Sequence, residues 1–138
     1  MVDPARVSRL LEALSECRER LDALRALPPD EYTGDRALAG RYLVQASAQI
    51  CIDLANHVIA SSGWRAPTDF RDTFTVLEEH EVVAPELAEQ MRALAGLRNR
   101  LVHVYEDIDD RIIHASLSEG LIDLAEYARA IADLTRRE

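Results

Sequence analysis

Apolar residues recur at alternating intervals of three and four near the start of the chain: Val7, Leu10, Leu14, Cys17, Leu21 and Leu24. That rhythm lines them along one side of a 3.6-residue helix and predicts a lengthwise packing seam. Asp3 before Pro4 is a start signal, an acceptor for the free N–H groups followed by a residue whose missing N–H costs nothing there. Pro28-Pro29 stops the run, so the first helix is predicted over roughly 4 to 27.

The same rhythm returns four more times. Leu38, Tyr42, Leu43, Ala46, Ile50, Leu54 and Val58 predict a second helix from about Thr33 or Asp35 to Ala60, closed by Ser61-Ser62-Gly63. It is rich in small residues (Gly40, Ala46, Ser47, Ala48, Ala55), which suit a close neighbour in a tight bundle or in a second subunit. Thr68 or Asp69 can cap a short helix with Phe70, Phe74 and Leu77 inward, ending near His80. Pro85 starts a fourth helix with Leu87, Met91, Leu94, Arg98, Leu101 and Tyr105 on one stripe. A last one, from about Asp109 to Arg136, carries Leu117, Leu121, Leu124, Ala128 and Ile131, with Gly120 as a weak point. The expected fold is all-α: an antiparallel bundle of four to five helices, forming a single domain over 1–138.

Composition agrees with this and removes some chemistry. The 138 residues are 48% hydrophobic and 30% charged, with five Gly and five Pro, a balance that favours helices around one core. All 16 basic residues are arginine; without lysine there is neither a Schiff-base enzyme nor a P-loop. With only two cysteines, Cys17 and Cys51, 34 positions apart within helix-like stretches, count and spacing support neither a disulfide framework nor a zinc site, which points to a reducing compartment. The start of the chain lacks a secretion signal and no apolar run reaches membrane-spanning length, so a cytoplasmic location is expected. The net charge of −9 argues against coating nucleic acid through the whole surface. Two acid-free segments remain as places for an anion: Gln90 to Tyr105, with Arg92, Arg98, Arg100 and His103, and Arg36 to Ile52, with Arg36 and Arg41.

The window Arg98-Asn99-Arg100-Leu101-Val102-His103-Val104-Tyr105 is the most informative. An arginine offers a rigid fork to two phosphate oxygens, and a histidine can take a proton from a sugar hydroxyl or return one to a leaving oxygen near neutral pH. RNA carries that hydroxyl beside its phosphate, so this pair could cleave it without a metal. The bland alternative has Arg98 reaching to solvent at the bundle edge, His103 capping the helix and Tyr105 packing with its hydroxyl wet. On a continuous helix Arg98 and His103 would lie roughly 140° apart, which is awkward unless the helix ends near His103 or two copies meet across a two-fold axis. Tyr105, seven residues beyond Arg98, would return to nearly the same side.

The string Arg98-Asn99-x3-His103-x-Tyr105, followed by Glu106-Asp107-Ile108-Asp109, resembles the RNxxxHxY signature of the HEPN ribonucleases, specifically the HepT toxin family. Asp53-Leu54-Ala55-Asn56-His57-Val58-Ile59 resembles that family's second recurring segment, and helix order and motif position agree over nearly the whole chain. The resemblance implies a homodimer whose paired motifs line a cleft, cleaving RNA without metal or cofactor and leaving a cyclic phosphate. It implies that Arg98 and His103 are catalytic and that Asn99 and Asp53 support them. Tyr105 would be the tyrosine to which a cognate MntA-like nucleotidyltransferase antitoxin attaches AMP. The rival reading is a non-catalytic helical adaptor that binds such a partner, or a nucleotide, through the same motif.

Other features have plainer readings. Asp53 and His57, four apart on one face, can pair with each other. No histidine has a glutamate three residues before it, so a di-iron site is not expected. Glu78-Glu79-His80-Glu81 reads as solvated surface, and the acids from Glu106 to Asp110 as partners for the last helix's N-terminal dipole. Trp64 and Arg65 could stack a base or cover the core.

Overall fold

The computed structural model describes residues 2–103 and 107–137. Its elements are α1 (Pro4–Arg25), a 3-10 turn (Pro29–Glu31), α2 (Asp35–Ser62), α3 (Phe70–Glu79), α4 (Pro85–Val102) and α5 (Asp110–Arg136). The all-α bundle predicted from the spacing is what forms, and each helix starts within two residues of its signal, whereas α4 ends at Val102, short of the Tyr105 that its predicted stripe reached. Asp3 accepts from the N–H groups of Ala5 and Arg6, Asp69 from Asp72 N–H and Asp109 from Arg111 N–H. Gly63 closes α2 in the left-handed conformation, at φ 70°, where a side chain would be strained. Gly120 leaves α5 unbroken.

α2 is the organising helix: it packs against α1, α3, α4 and α5. Val7, Leu14 and Leu21 of α1 are fully buried, with Leu10, Cys17 and Leu24 half-buried beside them. Tyr127 of α5, absent from the predicted stripe, is the largest fully buried side chain among the described residues. Its hydroxyl donates to the Cys51 carbonyl at 2.7 Å, and Phe74 meets its ring edge-on at 5.8 Å. Burial raises the pKa of both Tyr127 and Cys51. The bond to the Cys51 carbonyl gives the phenol the partner a buried hydroxyl needs.

Two residues of the predicted α2 stripe point the other way: Leu38 is 58% and Tyr42 68% exposed. The buried side of α2 runs through Ala37, Gly40, Leu43, Val44, Ser47, Ala48, Cys51, Leu54, Ala55 and Val58 instead, because small residues let the neighbouring helices close onto it. Gly40 serves a contact inside the chain: a Cβ there would overlap the buried Tyr32 ring.

Candidate functional site

The C-terminal half of α4 faces the middle of α2 and the start of α3, and three residues meet there around Arg98. Its Nε donates to Gln49 Oε1 at 3.1 Å, and one terminal nitrogen donates to Asn99 Oδ1 at 3.2 Å. The guanidinium carbon lies 4.9 Å from the centre of the Phe70 ring, close enough for cation–π attraction. Gln49 Nε2 in turn donates to Asp53 Oδ1 at 2.9 Å. Arg98, Gln49 and Asp53 are all half-buried.

Arg98 therefore contacts Asn99 directly, whereas Asp53 reaches it through Gln49. Among the described residues Arg98 makes no ion pair with a carboxylate. Gln49 and Phe70 were not legible as site residues. Gln49 lies one turn before Asp53 in an acid-free run, a weak signal, and Phe70 reads as core.

His103 is the C-cap of α4, with φ −93° and ψ 81°, and its backbone N–H bonds to the Arg100 carbonyl. Helical geometry stops at Val102, so the roughly 140° offset of a continuous helix no longer sets the direction of the imidazole. His103 is exposed. The predicted site residue Tyr105 lies outside the described residues.

Asp53 and His57 do not pair. His57 Nε2 accepts from the Asp3 backbone N–H at 3.0 Å, so it fastens the start of α1 to α2, while Asp53 is held by Gln49. The second candidate anion segment is also committed elsewhere. Arg41 makes a bidentate pair with Asp110 at 2.7 and 2.8 Å, and Arg36 meets Glu31. Asp110 thus bridges α5 to α2, beyond the dipole role predicted for it. In the first segment Arg92 is paired with Glu78 at 2.9 Å, which leaves Arg98 and Arg100 as arginines without a carboxylate partner there among the described residues.

Trp64 stacks flat on His80 at 3.9 Å, and Arg65 clamps both Asp72 and Glu79. These contacts tie the α2–α3 loop to both ends of α3. Hydrogen bonding to Arg65 holds the Asp72 and Glu79 carboxyls below their ordinary pKa and raises that of Arg65. Among the described residues no group of three or more His, Cys, Asp or Glu could hold a metal ion, and no helix is long and apolar enough to cross a membrane.

Known proteins share both the sequence and the architecture. The chain is 29% identical over 133 residues to a tRNA nuclease HepT from Aphanizomenon flos-aquae, covering 94% of this chain and 90% of that one. It is 32% identical over 88 residues to an mRNA nuclease HepT from Shewanella oneidensis, covering 64% and 66% of the two chains. The fold matches a solved structure of a tri-AMPylated HEPN toxin from Shewanella oneidensis in complex with an MNT antitoxin. That match has a TM-score of 0.85 and 21% identity, and covers 92% of this chain and 96% of that one. Residues 10–131 match the model of the Ribonuclease HepT-like family, and the chain belongs to that family.

Proposed function

We propose that the protein is a metal-independent endoribonuclease toxin of a toxin–antitoxin pair, working as a homodimer in the cytoplasm with Arg98 and His103 as catalytic residues. The observation that carries this reading is the state of Arg98: half-buried, oriented by Gln49 and Asn99, stacked over Phe70, and not neutralised by a carboxylate among the described residues. An arginine held in that way is ready for an external anion. The relatives' names, tRNA nuclease and mRNA nuclease, supply the substrate class.

In the reaction, the RNA 2′-oxygen attacks its neighbouring phosphorus, forming the P–O2′ bond as the P–O5′ bond breaks. His103 takes the proton from the 2′-hydroxyl or delivers one to the departing 5′-oxygen, and the Arg98 guanidinium stabilises charge on the phosphoryl oxygens. The product is a 2′,3′-cyclic phosphate and a 5′-hydroxyl end. Asn99 and Asp53 support the arginine.

A second copy completes the cleft. Leu38, Tyr42 and Val102 are exposed apolar side chains on the two helices that bear Gln49 and Arg98, and such surface suits a subunit contact. The partner that restrains the toxin is an MntA-like nucleotidyltransferase, with Tyr105 as the residue that receives AMP.

Expression in a bacterial host tests the reading. The wild-type chain should arrest growth and fragment RNA, and His103→Ala should do neither. Growth arrest by both variants without RNA fragments would favour the adaptor, which acts by binding alone.

A further inference from the structure

Between the Asp53 carboxylate and the Arg98 guanidinium stands one amide. Direct contact between a carboxylate and a guanidinium would orient the arginine but also neutralise it. Here the carboxylate orients Gln49, and Gln49 orients Arg98. The pattern is self-consistent in one direction only. A carboxylate accepts and cannot donate, so the Gln49 NH2 must face Asp53; a guanidinium donates and cannot accept, so it must receive the remaining amide oxygen.

We infer that Gln49 is a positioning residue for the ribonucleolytic reaction: its amide, locked by Asp53, fixes Arg98 through Nε and leaves the guanidinium charge for the phosphate. This rests on the ribonuclease reading above. The contact at Nε is the informative detail, because it takes the one donor nearest the chain and leaves the terminal nitrogens. Of these, one meets Asn99 Oδ1, a neutral acceptor that does not reduce the charge. The guanidinium carbon lies over the Phe70 ring, 4.9 Å from its centre, a contact that leaves the charge in place. Gln49 touches the arginine and not the reacting atoms, so it acts on the rate through Arg98 and contributes little to holding RNA.

The test is steady-state cleavage of a defined single-stranded RNA by Gln49→Met and Gln49→Glu, with the Arg98→Ala chain as a second background. Gln49→Met keeps length and volume but has no acceptor for Nε, and misplacing a catalytic group by about 1 Å can cost on the order of 10²-fold in rate. Expected is a kcat roughly ten- to a hundredfold below wild type, with KM within about threefold and an unchanged thermal midpoint. Gln49→Glu places a charge directly on Nε and two carboxylates side by side, and should lose at least as much kcat. In the Arg98→Ala background neither substitution should lower the residual rate further. The inference is overturned if both variants keep kcat within twofold of wild type, if KM rises while kcat holds, or if the losses persist undiminished without Arg98. In each case the wild-type chain still cleaves RNA and the ribonuclease reading stands. A wild-type chain that cleaves no RNA ends both. Should Gln49→Met fail to fold, the charge-bearing but near-isosteric Gln49→Glu decides the matter by the same criteria.

Discussion

Arg98 Nε and Gln49 Oε1 stand 3.1 Å apart, joining the centre of α2 to the end of α4 where the motif begins. An arginine on an otherwise apolar helical stripe is thereby given a neutral partner, a ring to stack on and no opposing charge among the described residues.

Removing that arginine should stop the chemistry without disturbing the bundle. Arg98→Ala and His103→Ala are each expected to lower the RNA cleavage rate by about 10²-fold or more. Helical circular dichroism should be retained, since Arg98 is half-buried and His103 exposed. EDTA is expected to leave the wild-type rate nearly unchanged. Loss of activity on chelation, with recovery on adding a divalent ion, would contradict the metal-free mechanism.

The exposed apolar residues of α2 predict a dimer. Light scattering at micromolar concentration should give twice the chain mass for wild type. Tyr42→Arg combined with Leu38→Glu, changes at positions 68% and 58% exposed, should give the monomer with its helical content intact. A wild-type monomer that still cleaves RNA would refute the composite site.

Control should act at Tyr105. An added AMP brings a phosphodiester anion and a nucleoside to the motif that must take the RNA phosphate. Intact mass after incubation with the cognate nucleotidyltransferase and ATP should increase for wild type and not for Tyr105→Phe, which should keep much of its ribonuclease activity. Equal mass gain in both would move the modification to another residue.

Acid stability should depend on the Arg65 clamp. Asp72 and Glu79 have lowered pKa values in the folded chain because Arg65 hydrogen-bonds them. A group with a depressed folded pKa contributes stability that is present above its unfolded pKa, near 4, and is lost as pH falls through the folded value. The thermal midpoint should therefore drop more steeply below about pH 4 for wild type than for Asp72→Asn. Parallel curves would show that the clamp contributes nothing.

Gly40→Ala sets two effects against each other. Alanine is the better helix former by about 1 kcal/mol, but its methyl would overlap the Tyr32 ring, and overpacking costs about 1–3 kcal/mol. A lower denaturation midpoint is expected; an increase would mean that Tyr32 yields freely.

Spacing alone determined the five helices, and caps and prolines most of their ends, because such a residue acts on backbone groups one turn away: Asp3, Asp69, Asp109 and Gly63 do so locally, whereas the end of α4 at Val102 carries no such signal. The candidate site was also legible as a motif, since Arg98, Asn99 and His103 fall within six consecutive residues and resemble a known signature. What only the tertiary structure decided was who meets whom. Asp53 and His57 share a face, yet His57 takes an N–H from the start of α1 and Asp53 takes Gln49. Arg41, free by sequence, is claimed by an aspartate 69 residues away. Leu38 and Tyr42 fit the apolar rhythm but face out, because helical periodicity fixes angles around an axis and says nothing about which neighbour occupies each side. Gln49 became visible as part of the site only once α2 and α4 were packed together.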